Sequence, residues 1–208
     1  LIGFDLAKDE GKTAEAILEI IFAYADEKKI QMKDFNGLID ILKDKSIPLK
    51  PQGLLTNGVQ TSGNIFKHKK VQKTEIENII RIEINKYRSQ FKDSQEGFMK
   101  NWPVSYNIKG WLVSMQSGGK LDPHMHDTGW ITGSVYINVP PKSKLHDGNL
   151  ALCLSDQIDI QGVDKNYKSY VDVSTGSLCL FPSSLHHYTI PFEENEERIV
   201  LAFDIIPS

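Results

Sequence analysis

The chain has 208 residues, of which 40% are hydrophobic and 25% charged, and its formal net charge is −3. These values are typical of one globular domain. The slightly acidic balance argues against a nucleic-acid partner, and no apolar run reaches the roughly 18 residues of a membrane-spanning helix. A chain of this size buries about 70% of its unfolded surface, so it needs no metal ion merely to fold. A metal site, if present, would serve chemistry.

The cysteines and the N-terminus indicate a cellular compartment. Cys153 and Cys179 lie in apolar sequence, where we expect buried free thiols in a reducing environment, and no spacing supports a disulfide. The chain begins at Leu1 without a signal peptide or an initiator methionine, which suggests a processed N-terminus. We therefore expect a cytoplasmic protein. A homo-oligomer is compatible with the sequence, which does not decide it.

The first 95 residues or so have mainly helical patterns. Two amphipathic helices are predicted at the N-terminus, with apolar faces formed by Ala14, Ile17, Ile21 and Tyr24 and by Phe35, Leu38, Ile39 and Leu42. The Pro- and Gly-rich segment 45–66 predicts a loop with at most one short strand. A capping-box pattern at 74–77 then opens a third helix. Its apolar face comprises Ile76, Ile80, Ile84, Tyr87 and Phe91.

From Trp102 onward the pattern changes to short apolar runs separated by turns, which indicates a β-sandwich or barrel. The predicted strands are 104–107, 110–116, 122–126, 130–139, 149–154, 169–173, 177–181, 185–190 and 197–206. One predicted turn is Ser117-Gly118-Gly119. In the last strand, Ile199, Leu201, Phe203 and Ile205 alternate with Arg198, Val200, Ala202 and Asp204. Arg198 would then point between two sheets, where an arginine needs an anionic partner or ligand.

Three histidines are candidate metal ligands. His124 and His126 lie two residues apart in a predicted strand, so their side chains share one face, and His187 could complete a three-nitrogen site. Imidazoles suit iron, zinc, copper or nickel. Since adjacent strand residues face opposite ways, His186 would point elsewhere if His187 binds metal. Asp122 and Asp127 flank the histidine pair and are alternative carboxylate ligands.

Other candidate residues have simpler interpretations. His68 and His146 lie in a basic run and in a turn, so both are expected at the surface. Trp111, Trp130 and Tyr136 are aromatic residues of predicted strands, and such residues usually pack in the core.

Two sequence blocks resemble the Fe(II)- and 2-oxoglutarate-dependent dioxygenase superfamily. They are GGKLDPHMHDTGWITGSVYINVP (118–140) and GSLCLFPSSLHHYTIPFEENEERIVLAFDI (176–205). The resemblance is closest to the 2OG-Fe(II) oxygenase group whose first block is similar to H-x-H-x-x-x-W-x-S-G-x-x-Y, and in which some members carry tetratricopeptide repeats upstream. It covers residues 55–208. The paired blocks at this separation are a specific signal, whereas either block alone would be a moderate one.

The resemblance implies a mainly β fold with N-terminal α-helices: a double-stranded β-helix (jelly roll) with supporting helices on one sheet. Residues 1–54 would form a helical segment, and 55–208 the oxygenase domain with its supporting helix. The resemblance implies that His124 and His187 bind iron, and that Arg198 binds the distal carboxylate of 2-oxoglutarate. Ser134 and Tyr136 are candidates for assisting the arginine.

The sequence departs from the family pattern at two places. Most of the superfamily has a carboxylate two residues after the first histidine, where this chain has His126. Either His126 is the third ligand, which we favour, or water takes that position and His126 contacts substrate. The closer group also often ends in R-I-S-x-A-F-N, whereas Val200 and Asp204 replace the Ser and Asn here.

The predicted function is an Fe(II)- and 2-oxoglutarate-dependent dioxygenase. It would hydroxylate an unactivated C–H bond of a small molecule or peptide with O2, releasing succinate and CO2. One alternative is a cupin-type three-histidine dioxygenase that does not use 2-oxoglutarate. The other is a non-catalytic binding barrel whose N-terminal helices serve as an interaction module.

Overall fold

A computed structural model describes residues 38–40, 44, 47–73, 75–153 and 168–208. The first predicted helix lies outside these residues, and of the second only residues 38–40 and Asp44 are described. Leu38 belongs to a helical turn and is buried in the main core. Among the described residues, no helix has both the length and the apolar character that crossing a membrane requires.

The Pro- and Gly-rich segment contains two strands, of which the sequence predicted at most one. Strand β1 is Leu49–Lys50 and β2 is Leu55–Thr61, where the sequence predicted a loop with at most one strand. β2 pairs with β1 and also with β3. Two short 3-10 turns follow, at Ile65–Lys67 and Val71–Lys73.

Helix α1, Ile76–Gln90, is the supporting helix predicted from its periodicity. The four predicted apolar positions Ile76, Ile80, Ile84 and Tyr87 are buried in the main core, and Phe91 is the C-cap. The N-cap is Glu75, whose side chain makes no cap hydrogen bond, and Thr74 of the predicted capping box lies outside the described residues. A one-turn helix α2, Gly97–Lys100, was not predicted.

The remaining strands are β3 (Tyr106–His124), β4 (Ile131–Asn138), β5 (Leu150–Cys153), β6 (Lys168–Val171), β7 (Leu178–Pro182), β8 (His186–Thr189) and β9 (Arg198–Pro207). All strand pairs are antiparallel, in the order β6-β5-β8-β3-β9-β4-β7. The N-terminal part of β3 pairs with β9 and its C-terminal part with β8. The long strand therefore joins the two sheets of a jelly roll, as predicted.

β3 corrects one sequence prediction. Three predicted strands are a single strand, and the predicted turn at 117–119 is a bulge within it. Opposite the bulge, the register moves from Thr56↔Lys120 to Gly58↔Met115, which leaves extra residues on β3. Gly118 has a φ of +73° there, so it supplies the left-handed conformation that this bulge needs.

The two faces of β9 separate the core from the cavity. Ile199, Leu201, Phe203 and Ile205 pack in the main core with α1, whereas Arg198, Val200, Ala202 and Asp204 line the cavity inside the roll. The period-two prediction for this strand is therefore confirmed. Cys153 and Cys179 are both buried free thiols, also as predicted.

Candidate active site

The jelly roll encloses a cavity of about 470 Å³, and the three candidate histidines line it together. One potential ligand atom from each of His124, His126 and His187 lies within 4.8 Å of the other two. Within the described parts of the chain, neither Asp122 nor Asp127 joins this cluster. Asp122 instead accepts a hydrogen bond from Lys120 at 2.7 Å. Among the described residues, the three histidines are therefore the set of potential ligands that the structure brings together.

Strand pairing positions two of the histidines. His124 ends β3 and lies directly opposite His187 on β8, and their ring centroids are 4.3 Å apart. His187 is buried, whereas the adjacent His186 pairs with Cys153 and lies outside the cluster. Strand pairing therefore places His187, and not His186, beside His124 in the cluster.

His126 reaches the cluster by another route than the one predicted. It lies beyond the end of β3, in the loop at 125–130, so strand alternation does not place it beside His124. Its backbone N–H donates to the Ser183 carbonyl at 2.9 Å. Its ring nitrogen Nδ1 lies 2.7 Å from Asp204 Oδ1. A loop anchored at two points therefore brings the third imidazole to the site.

All three rings have Nδ1 bound to an oxygen of the protein. Nδ1 of His124 lies 2.9 Å from the Asp122 carbonyl, and Nδ1 of His187 lies 3.1 Å from the Leu185 carbonyl. Because a carbonyl only accepts, these nitrogens carry the proton and donate it. The lone pair of Nε2 is then available for a metal ion in each ring.

Burial keeps two of these rings neutral. It is the largest cause that lowers the pKa of His124, and it lowers the pKa of His187 well below the ordinary value. The neighbouring histidines lower the pKa of His187 further. A neutral imidazole binds a metal without first releasing a proton. The donor chemistry of the cluster therefore fits a transition-metal ion that prefers imidazole, iron among them.

The same cavity is also lined by a buried guanidinium group. Arg198 is 3% exposed, and its Nε donates to the Gly148 carbonyl at 3.0 Å. No ion pair is formed by Arg198 with any described carboxylate. Burial lowers the pKa of the guanidinium, but arginine stays charged in proteins. An uncompensated cation in a cavity is a site for an anion.

Tyr136 lies beside this cation, and a second hydroxyl side chain, Ser134, lines the same cavity. The guanidinium carbon of Arg198 is 5.3 Å from the centre of the Tyr136 ring, and Ser134 lies on the same cavity-facing side of β4. Burial raises the pKa of Tyr136, so its phenol stays protonated and can donate a hydrogen bond. Both predicted helpers of Arg198 therefore lie within the same cavity.

Of the residues that the sequence predicted to be in the core or at the surface, one lies as expected and two lie partly in other surroundings. Trp130 packs as expected, stacked on Phe98 with ring centroids 5.6 Å apart. Trp111 also contacts apolar residues, but it lines the cavity 5.6 Å from the His126 ring. His146, expected at the surface, is partly buried and stacks on Tyr170.

Asp204 belongs to the site, but the sequence did not predict its contact with His126. Its carboxylate contacts both His126 and Thr132, at 2.7 Å in each case. The available signals were its position on the same face of β9 as Arg198 and its replacement of the family's Asn. Neither signal named its partner, because the contact with His126 spans 78 residues.

A histidine cluster and a buried arginine share one cavity of a jelly roll, an arrangement that could hold both a metal ion and an anion. Residues 109–204, a little under half of the chain, match the family described as "Putative 2OG-Fe(II) oxygenase". This region is therefore similar to the 2OG-Fe(II) oxygenases, whose metal and cosubstrate are Fe(II) and 2-oxoglutarate. A search of curated proteins finds no significant relative.

Solved structures of similar fold are distant in sequence. A Pseudomonas putida prolyl-4-hydroxylase is 12% identical, with a TM-score of 0.58 over 94% of this chain and 99% of that one. HygX from Streptomyces hygroscopicus, solved with nickel, 2-oxoglutarate and hygromycin B, is 12% identical, with a TM-score of 0.61 over 93% and 87% of the two chains. A prolyl hydroxylase from Trichoplax adhaerens, bound to a hypoxia inducible factor peptide fragment, is 10% identical, with a TM-score of 0.61 over 99% and 94%. At these identities, the likeness establishes the fold.

Proposed function

We propose that this protein is an Fe(II)- and 2-oxoglutarate-dependent hydroxylase. His124, His126 and His187 would bind the iron through Nε2, and Arg198 would bind the distal carboxylate of 2-oxoglutarate. The observation that carries the proposal is that one cavity holds both three imidazoles with free Nε2 atoms and a buried guanidinium without an anionic partner among the described residues. A metal site alone would not call for the second feature.

The residues of this chain would divide the work as follows. Arg198 offers its remaining N–H donors to the distal carboxylate, and Tyr136 and Ser134 add hydroxyl donors beside it. When bound, Fe(II) with 2-oxoglutarate supplies the oxidation of an unactivated C–H bond by O2, with release of succinate and CO2. The protein contributes orientation and a cavity that limits the access of water.

The substrate would enter from the exposed end of the cavity. This end is lined by Lys50 and Gln52 near β1, by Trp111 on β3, and by Met125 and Asp127 in the loop after β3. Trp111 lies against His126 and offers a flat apolar surface next to the metal site. A small molecule or a side chain of a peptide would fit this opening, in keeping with the ligands named for HygX and for the Trichoplax enzyme.

An anaerobic titration tests the proposal. Metal-free protein is loaded with Fe(II) and then titrated with 2-oxoglutarate, and the charge-transfer absorption band of the chelated cosubstrate is recorded. We expect the band in the wild type. Iron-loaded protein that binds 2-oxoglutarate without this band, or that does not bind it, would contradict the proposal.

Neighbouring histidines provide matched variants for the ligand assignment. His187→Ala should abolish the band, whereas His186→Ala should leave it unchanged, because His186 lies outside the cluster. His126→Ala separates the two options for the third position. If that variant keeps iron and still produces succinate, water occupies the position and His126 is not a required ligand.

A further inference from the structure

Asp204 is a buried carboxylate that contacts the ring of His126 and the hydroxyl of the neighbouring Thr132. Its side chain lies in the cavity on β9 and is 6% exposed. Oδ1 lies 2.7 Å from His126 Nδ1 and 2.7 Å from Thr132 Oγ1. A buried carboxylate is stable only when such donors satisfy it, so these two contacts determine its orientation.

The hydroxyl groups behind Asp204 form a directed chain. Thr132 Oγ1 has one proton and lies close to both Asp204 and Ser183 Oγ, the latter at 2.9 Å. If Thr132 donates to Asp204, the Ser183 hydroxyl must donate to Thr132. Thr132 therefore holds the carboxylate directly and Ser183 supports Thr132, while the other contact of the carboxylate is the ring of His126.

His126 needs this support more than the other two histidines do. His124 and His187 are in paired strands, and each ring bonds a carbonyl two residues earlier in its own segment. His126 lies in a loop, so no strand register fixes its ring. The partner of its Nδ1 comes instead from a strand 78 residues away.

We propose that Asp204 is a positioning residue that orients the His126 ring and gives the metal centre its negative charge through that ring. This inference rests on the proposed function. Most of the superfamily has a carboxylate at position 126, whereas the closer group has a histidine there and often Asn at position 204. This chain shares that histidine and has Asp204 in place of the Asn. Asp204 therefore places a carboxylate one imidazole ring away from the metal position, and its hydrogen bond to Nδ1 makes Nε2 of His126 a stronger donor.

Substitutions of Asp204 should weaken metal binding. Partners of this kind are worth about 10- to 100-fold in metal affinity, so Asp204→Ala should lower the affinity for Co(II) by about that factor. Asp204→Asn keeps the shape and an oxygen acceptor but removes the charge, so its loss should be smaller. The Asn variant also covers the case in which Asp204→Ala fails to fold.

A double substitution tests the coupling between the two positions directly. His126→Asp alone would put two carboxylates side by side and should bind Co(II) poorly. Combining it with Asp204→Asn removes the repulsion between these carboxylates and should recover part of the lost affinity. A double variant that binds no better than His126→Asp would overturn the proposal, because the two positions would then be independent.

Calorimetric titration with Co(II) gives the affinity, and the Co(II) d–d absorption spectrum reports the donor strength of the ligands. Asp172→Asn, an exposed carboxylate paired with Lys142, is the matched control and should behave as wild type. Asp204 variants with wild-type affinity and an unchanged spectrum would overturn this inference while leaving the proposed function intact. Wild-type protein that binds no Co(II) would instead contradict the proposed function itself.

Discussion

Replacing Arg198 by methionine should separate the stability of the protein from its affinity for 2-oxoglutarate. In the absence of ligand, the guanidinium is 3% exposed, and its Nε donates to the Gly148 carbonyl at 3.0 Å. Burying a charge without an opposite charge costs several kcal/mol, which Arg198→Met recovers. Against this, leaving the Gly148 carbonyl unsatisfied costs about 1–3 kcal/mol. The free energy of unfolding without ligand should therefore fall little or rise.

The effect on ligand binding should be much larger. Removing one partner of a buried hydrogen-bonded charge pair costs about 2–5 kcal/mol, or roughly 30- to 5,000-fold in affinity. With Mn(II) and 2-oxoglutarate at about 100 times the wild-type Kd, binding stabilises the wild type by about 2.7 kcal/mol. For a chain of this size that is a rise in Tm of about 5–11 °C. The variant should keep less than about 1 kcal/mol of this stabilisation.

Thermal unfolding with and without the cosubstrate measures the ligand effect, and urea unfolding of the ligand-free protein measures the intrinsic stability. Arg81→Met is the control, since Arg81 is a half-exposed arginine paired with Glu77 on α1. It should show the full rise in Tm. If Arg198→Met keeps the full rise, Arg198 does not bind the cosubstrate. If the variant instead loses about 3–5 kcal/mol of stability without ligand, Arg198 is part of a structural ion pair.

Three further predictions concern the loop, a buried thiol and the core. Gly129→Ala should weaken Co(II) binding, because an added Cβ would approach the side chains of Ser183 and Asp204 and so displace the loop that carries His126. A wild-type Co(II) affinity, measured by calorimetry, would contradict this prediction. Burial raises the pKa of the Cys179 thiol to about 12, so the unfolded chain releases this proton first and the folded state loses stability from about pH 9 toward pH 12. Urea unfolding of Cys179→Ala should show a smaller decline over that range, and an equal decline would refute the assignment. Phe203→Ala should reduce the free energy of unfolding in urea by about 3–5 kcal/mol, because Phe203 is fully buried in the main core, and a loss below about 1 kcal/mol would contradict its packing role.

The sequence predicted β9 well because one physical rule governs it. A strand with one face in the core and the other toward a cavity must alternate, so the period-two pattern alone assigns Arg198 and Asp204 to the inner face. The same reasoning failed on β3. Gly118 in a left-handed conformation is compatible with a turn or a bulge, and only the pairing with β2 decides between them.

The histidine site shows a second limit of sequence patterns. The pair His124 and His126 was predicted to converge because both were placed in a strand, yet His126 lies in a loop and converges through Asp204 and Ser183. A correct conclusion was thus reached by an incorrect route. Contacts between residues this far apart in the chain depend on the closed sheet, which local periodicity does not describe.

Three histidines in a barrel also describe enzymes that do not use 2-oxoglutarate, so the metal cluster alone does not separate these classes. Arg198 does, because a buried cation without a carboxylate partner among the described residues is costly unless a ligand supplies the negative charge. A barrel that only bound a partner would need neither this cation nor three Nε2 lone pairs directed into one cavity. The remaining variable is the distance of the carboxylate from the metal. A carboxylate that is a direct ligand takes up a coordination position itself, whereas in our proposal Asp204 would act through His126 and leave that position to a nitrogen. This chain therefore provides a way to measure how much of an oxygenase metal centre depends on the presence of the negative charge and how much on its direct coordination.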